Sequence, residues 1–253
     1  VEVPVRPKYG DHSAVEQDPI ELFDSVIESG KQALAKAGVK VAAIGLANQG
    51  ETVLAWDPIS GEPLSNMIVW QDGRSIDICR DRESTNEEIS QLSGLYLDPY
   101  FAAPKMTWLR ENVTREGVVT TSDAWLLHKL TGEFVTDAST ASRTLLLDLN
   151  QGDWSQRAVE IFGLQNEAMP KIVPSAGTIG TTAAFGSEMP VTGAIVDQQA
   201  ALFAQDCRVA GAAKCTYGTG AFLLANAGST ATRSEGLPTS LAWRIGEADT
   251  FVL

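Results

Sequence analysis

The 253-residue chain has only three cysteines, Cys79, Cys207 and Cys215, an odd number with no C-x-x-C pair. That count excludes a disulfide framework and gives no zinc-ligand spacing, so reduced thiols in a cytoplasm are expected. Basic residues are also scarce: 19 Lys and Arg stand against 32 Asp and Glu, leaving a net charge of −13. A nucleic-acid backbone would be repelled by such a surface, whereas a single phosphate held by local N–H groups would not. No run approaches the roughly 18 apolar residues of a membrane span, and the opening Val1-Glu-Val-Pro-Val-Arg6 has no basic-then-apolar signal layout. Internal repeats and low-complexity stretches are lacking too. What is there is ordinary globular composition, with 44% hydrophobic and 20% charged residues, enough to bury a sizeable core. The first residue is Val and the last three, Phe251-Val-Leu253, read as a strand cut short, so a longer natural protein trimmed at both ends is expected.

Hydrophobic spacing predicts an amphipathic helix between Asp18 and Gly38, with Asp18 as N-cap, Pro19 in the first turn and Gly38 as the stop. Val41 to Ala47, Thr52 to Trp56 and Pro63 to Trp70 read as three strands of one meander, with a turn at Asp57–Gly61. A mixed, mostly helical region follows from Arg74 to Arg115. Short helices are predicted over Asp123–Leu130 and Trp154–Phe162, and the stretch from Pro170 to Pro190 reads as turns. Val191 to Val196 is a buried-type strand, Asp197 to Gln205 a helix, and Ala213 to Ala225 two strands around Gly218-Thr219-Gly220.

Several places in that layout can carry chemistry. Asp197 stands where an apolar strand hands over to a helix, the edge at which α/β sheets meet ligands. It is either a plain N-cap or a base that takes a proton from a substrate hydroxyl attacking a phosphoryl group, and one carboxylate can do both. Tyr217-Gly218-Thr219-Gly220 is either a glycine hairpin or a loop whose N–H groups approach a phosphate. Asn48-Gln49-Gly50-Glu51 is either a polar turn or a set of hydroxyl ligands suited to a small polyol; Asp98-Pro99-Tyr100-Phe101 is similar. Trp70 and Phe222 can wall a pocket or simply fill the core.

In their order along the chain these segments resemble the FGGY family of carbohydrate kinases, most closely its glycerol-kinase branch. The likeness rests on Ile44-Gly-Leu-Ala-Asn-Gln-Gly-Glu-Thr52, Ile68-Val-Trp-Gln71, Gly94-Leu-Tyr-Leu-Asp-Pro-Tyr-Phe101, Thr140-Ala-Ser-Arg-Thr144, Asp197-Gln-Gln-Ala-Ala-Leu-Phe203 and Thr216-Tyr-Gly-Thr-Gly220. It implies an α/β architecture of the ribonuclease H-like, actin-like (ASKHA) type, a mixed sheet flanked by helices. Residues 1–210 would form the substrate domain without its first hairpin, and residues 211–253 the start of a nucleotide-binding domain.

The resemblance further implies ATP-dependent phosphorylation of a primary hydroxyl of a small polyol or sugar, with ATP and Mg²⁺ as cofactors. Asp197 would be the catalytic base, with Gln198 beside it. Glu51 and Tyr100 would bind acceptor hydroxyls, Trp70 and Phe222 would be the apolar walls, and Gly218, Thr219 and Gly220 would meet the ATP phosphates. A cytoplasmic protein is implied, with no nucleic-acid or membrane partner, and a homodimer or homotetramer is among the assemblies allowed. The family's first phosphate loop, an Asp-x-Gly-Thr, is not in these residues. Where glycerol kinases carry Arg after the Asn-Gln pair, this chain has Gly50, which removes five donors and is expected to leave room for a four- or five-carbon acceptor. The alternative is that Gly50 is a turn residue with φ > 0. Rival functions are a non-catalytic polyol-binding or assembly module and an ATPase of actin or chaperone type, which would need no polyol ligands at Glu51, Tyr100 and Asp197.

Overall fold

A computed structural model of the chain describes residues 1–218, 220–233 and 236–253. Two short strands, β1 (Lys8–Tyr9) and β2 (Val15–Gln17), lead into helix α1 (Pro19–Ala37). Asp18 caps that helix, its Oδ1 accepting from the N–H groups of Ile20 and Glu21 at 2.9 and 3.2 Å. Gly38, left-handed at φ 62°, ends it. The inner face of α1 packs Leu22, Phe23 and Val26 against buried Leu54, Trp56 and Trp125.

Strands β3 (Ile44–Asn48), β4 (Val53–Trp56) and β5 (Met67–Ile68) follow, but not as one meander. All four residues of β4 are buried, and it lies in a five-stranded antiparallel sheet of order β1-β2-β5-β4-β6, where β6 is Val118–Thr121. β3 joins a different sheet, so the chain crosses between sheets over residues 49–52. The predicted strand from Pro63 to Trp70 is only Met67–Ile68, with Pro63 making one isolated bridge to Trp56; a proline lacks the N–H a ladder needs.

Helices α2 (Ile76–Asp81), α3 (Asn86–Ser93), α4 (Ala102–Asn112) and α5 (Ser122–Thr131) surround that sheet. The main core gathers Val53, Ala55 and Val119 from the sheet, Phe101, Met106 and Leu109 at α4, and Leu145, Leu146 and Phe162 from the segment beyond. That segment contains β7 (Val135–Asp137), α6 (Ala138–Ala141), β8 (Leu147–Asp148), β9 (Asp153–Trp154) and α7 (Gln156–Ile161). Trp154 therefore pairs in a strand, and the helix predicted to include it begins two residues later, because Ser155 caps it through the Ala158 N–H at 3.2 Å.

The stretch from Pro170 to Pro190 is not mainly turns. It supplies β10 (Lys171–Val173) and the seven-residue β11 (Ala176–Thr182). Gly180 has a packing role there: a Cβ would stand 2.8 Å from Thr131 Cβ on α5. β12 (Met189–Val196) and α8 (Asp197–Ala204) come next, then β13 (Ala213–Tyr217), β14 (Ala221–Gly228), β15 (Ser240–Ile245) and β16 (Ala248–Val252). The second sheet has the order β13-β14-β16-β15-β11-β12-β3 and is mixed. β14, β15 and β16 pair antiparallel and reach β11 through the single bridge Ala176↔Ile245. β12 and β3 run parallel, with Val196 opposite Asn48. No helix among the described residues is long and apolar enough to cross a membrane.

Candidate active site

The parallel register of β3 and β12 builds the site. Because Asn48 and Val196 are partners at the carboxyl ends of both strands, the residues just beyond them, Gln49-Gly50-Glu51 and Asp197-Gln198, emerge side by side. Asn48 is further fixed to α6 by its 3.3 Å amide contact with Thr140 Oγ1.

Asp197 is the first residue of α8; Val196, with extended dihedrals of −64° and 141°, holds the cap position. The N-cap reading of Asp197 is thus corrected: its one hydrogen bond to the backbone is from the adjacent Gln198 N–H, 2.7 Å from Oδ1. The carboxyl is open at the rim, yet partial burial lifts its pKa, against hydrogen bonds from Gln198 and the nearby Lys214 charge. Lys214 donates to Gln198 Oε1 at 2.6 Å and to Thr216 Oγ1 at 2.7 Å, so the amide of Gln198 is held in one orientation.

Glu51 is buried at 5% exposure and sits in the left-handed region at φ 61°. A non-glycine residue there costs on the order of 1 kcal/mol and persists only where surrounding bonds fix it. The bond that fixes its side chain comes from Arg143, whose Nε is 2.6 Å from Glu51 Oε1. The positive φ expected as an alternative at Gly50 is thus found one residue later. Gly50 is also not beside a void: a Cβ on it would lie 3.0 Å from Val196 Cγ1. The expectation of open space at this position is corrected, since the Val196 methyl stands where a side chain would begin.

Three aromatic residues line up beside these groups. Trp70 meets Tyr100 edge-on at 5.6 Å and Phe222 at 5.9 Å between ring centroids. Tyr100 is half-buried, and burial pushes its hydroxyl up to about 12. Its loop is held from below by Lys105 on α4, whose fully buried Nζ donates to the carbonyls of Pro99, Tyr100 and Phe101 at 2.9, 2.5 and 2.6 Å.

A cavity of about 220 Å³ opens between the two strand ends and β14, lined by Glu51, Arg143, Val196, Asp197, Gln198 and Phe222 among others. It is below the ~300 Å³ at which pockets for drug-sized ligands begin, the size of a small ligand. Gly218 and Gly220 close the β13–β14 turn, the Gly218 N–H donating to the Gly220 carbonyl at 3.0 Å, and neither lines this cavity. Thr219 lies outside the described residues. Among the described residues other than its chain neighbours, no atom lies within 4 Å of where a Cβ on Gly218 would be, so a ligand can approach that backbone. Among the described residues no three His, Cys, Asp or Glu side chains form a metal cluster.

Sequence reasoning thus named Asp197, Gln198, Glu51, Tyr100, Trp70, Phe222 and Gly50, and the fold brings them together. It assigned no role to Arg143, Lys105 or Lys214. Arg143 lies inside the Thr140–Thr144 motif, the sequence signal that points to it.

A mixed sheet meeting helices and a polar cleft at parallel strand ends, as here, is the actin-like, ribonuclease H-like architecture of sugar kinases. Residues 2–204 match the model of the FGGY family of carbohydrate kinases, N-terminal domain, and the chain belongs to that family. It is 42% identical over 257 residues to a glycerol kinase of Alkalilimnicola ehrlichii, covering 94% of this chain and 52% of that protein. It is 42% identical over 249 residues to glycerol kinase 2 of Thermotoga maritima, covering 91% and 50%. The fold matches the crystal structure of Plasmodium falciparum glycerol kinase with ADP at a TM-score of 0.92 and 31% identity, covering 99% of this chain and 54% of that one. The chain spans about half the length of the curated relatives it matches.

Proposed function

We propose that the intact protein transfers the γ-phosphoryl group of ATP to a primary hydroxyl of a small polyol or sugar, glycerol-like or of four to five carbons. The observation that carries this reading is the Asn48/Val196 register, which sets Glu51 and Asp197 on one small cavity walled by Phe222. ATP with Mg²⁺, when bound, supplies the phosphoryl group and part of the charge that offsets it. Asp197 accepts the proton of the attacking hydroxyl, a task its burial-raised pKa suits by bringing the carboxylate closer to neutral pH. Glu51 accepts from a neighbouring hydroxyl, Tyr100 donates to one, Trp70 and Phe222 hold the carbon chain and exclude water, and Gln198 is aimed by Lys214. Gly218 and Gly220 close the turn to which we assign phosphate contact.

On this reading residues 1–210 form the acceptor domain and residues 211–253 open the nucleotide domain, in keeping with the single bridge that joins β15 to β11. β3, at the sheet edge among the described residues, can accept further strands of the whole protein. Three free cysteines, Cys79 and Cys207 buried and Cys215 exposed, accord with a cytoplasmic enzyme. The test is a coupled assay of the intact protein with ATP and glycerol, erythritol, xylulose or ribulose. Turnover that depends on one of these acceptors is expected. ATP hydrolysis unaffected by every acceptor would instead select the actin-type ATPase, and acceptor binding without transfer would select the binding module.

A further inference from the structure

The Thr140–Thr144 motif contains one charged side chain, Arg143, and the structure gives it a fixed place. Asp137 caps α6 by accepting from the N–H groups of Ser139 and Thr140 at 2.9 Å each. The Thr144 carbonyl then accepts from the Ala103 N–H at the start of α4. Arg143 is thereby anchored on both sides, and its side chain runs to the acceptor cavity. Nε donates to Glu51 Oε1 at 2.6 Å, Nη1 lies 3.5 Å from Ser240 Oγ, and the guanidinium carbon sits 5.0 Å from the Phe101 ring centroid and 5.7 Å from that of Tyr100.

A guanidinium carries five N–H donors in a planar fork. The Glu51 and Ser240 contacts engage Nε and Nη1, Tyr100 lies close enough to share a further bond, and Arg143 lines the cavity as its one basic side chain among the described residues. Gly50 has no side chain to offer a donor, and Val196, in the cavity lining, carries only methyl groups. The pocket therefore has carboxylates at Glu51 and Asp197 to accept from hydroxyls, and Arg143 is its cationic donor to hydroxyl oxygens.

We propose that Arg143 is the specificity-determining donor of the acceptor pocket, reading adjacent hydroxyls with its free edge while its Nε edge aims Glu51 at the same pair. This rests on the proposed reading of the site as a polyol or sugar pocket. A diol unit then bonds to both partners at once, accepting from Arg143 and donating to Glu51, and an acceptor lacking one of the two hydroxyls leaves both groups incompletely paired. Lysine is a poor substitute, because an ammonium is a point charge that cannot bridge a carboxylate and a hydroxyl in one plane.

The experiment compares wild type, Arg143→Gln, Arg143→Lys and Arg143→Ala of the intact protein, with the acceptor that wild type uses best and its monodeoxy analogue. We expect kcat/KM for the diol to fall by about 10- to 100-fold in Arg143→Gln, mostly in KM. The KM for ATP should stay within about twofold, and the preference for the diol over its deoxy analogue should shrink towards one. Guanidinium ion should restore part of the activity of Arg143→Ala, and methylammonium should not. Thermal unfolding identifies any variant that fails to fold, and Arg143→Lys, which keeps the charge, then carries the comparison. Unchanged preference for the diol in a folded variant overturns the inference. Calorimetric titration of erythritol into wild type and Arg143→Gln separates the two claims: wild-type binding without phosphoryl transfer ends the kinase reading while the variant's affinity still decides the role of Arg143. Absence of any polyol binding by wild type overturns both.

Discussion

Gly50 and Val196 compete for one volume. A Cβ built on Gly50 would be 3.0 Å from Val196 Cγ1, closer than side chains pack without displacement. Gly50→Ala should cost about 1 kcal/mol through overpacking, and Val196→Ala should relieve it, giving a coupling of about 0.5 kcal/mol or more in a double-mutant cycle read by urea unfolding. For acceptor choice, Gly50→Arg alone should impair every acceptor. Gly50→Arg combined with Val196→Ala should raise kcat/KM for glycerol relative to a five-carbon acceptor by about 10-fold, since a fork at position 50 then has room and grips vicinal hydroxyls. Additive stability losses would show that the two side chains do not share this space.

Asp197 should separate catalysis from folding. As the first residue of α8 rather than its cap, it contributes a bond to Gln198 N–H and a favourable charge near the helix start, together about 1 kcal/mol or less. Asp197→Asn should accordingly leave the unfolding midpoint nearly unchanged while kcat falls by roughly 10² or more. Because burial raises the Asp197 pKa, the acid limb of the wild-type pH–rate profile should lie above the ordinary aspartate range, and activity should be lost as pH falls through it. A large drop in stability with near-normal kcat would return Asp197 to a structural role.

Local signals were readable where they had local causes. Asp18, Pro19 and Gly38 bound α1 as their backbone preferences require, and Gly132 at φ 81° ends α5 where expected. β11 was hidden because Gly177 and Gly180 look like turn residues, although Gly180 is small only to admit Thr131. The separation of β3 from β4 depends on pairing with β12, some 150 residues away in sequence, and no nearby residue encodes it. The same holds for the site. Residues that would touch an acceptor were named from motifs, whereas Lys105 and Arg143 act by position, and a lysine or arginine in sequence looks like solvated surface until the fold buries it.

Asp123 offers a test of buried charge. It is fully buried, Oδ2 accepts from Thr136 Oγ1 at 2.7 Å, and Oδ1 has no partner among the described residues. Burial, reinforced by the nearby Asp137 charge, lifts its pKa to about 6 against the bond from Thr136. The folded state then holds a proton that the unfolded chain releases near pH 4, so this contribution to stability is full below pH 4 and is lost as pH rises through 6. Between pH 4 and pH 7 wild type should lose on the order of 2 kcal/mol relative to Asp123→Asn, whatever the absolute stability of the variant. Parallel pH profiles for the two proteins, measured by urea unfolding, would refute it.

Lys105 links stability to the loop bearing Tyr100. Burial pushes its pKa down to about 7, with the charges of Glu51 and Asp72 opposing that shift. The carbonyls of Pro99, Tyr100 and Phe101 are saturated by the three donors of the ammonium, and a neutral amine has only two. As pH rises above about 7 one carbonyl therefore loses its donor, and the loop bearing Tyr100 should loosen. The KM for the acceptor should climb through this range while the KM for ATP stays level. Stability moves the other way: from about pH 7 to about pH 10 the unfolded chain binds a proton that the folded state has given up, so unfolding free energy rises with pH relative to a variant without this amine. Lys105→Met should abolish both trends and, by stripping all three carbonyls of their donors, cost about 2 kcal/mol or more at neutral pH. It should also raise the acceptor KM at every pH, because Tyr100 is no longer held from below. Retention of the pH-dependent KM in Lys105→Met would assign that titration to another group and detach the loop from this lysine.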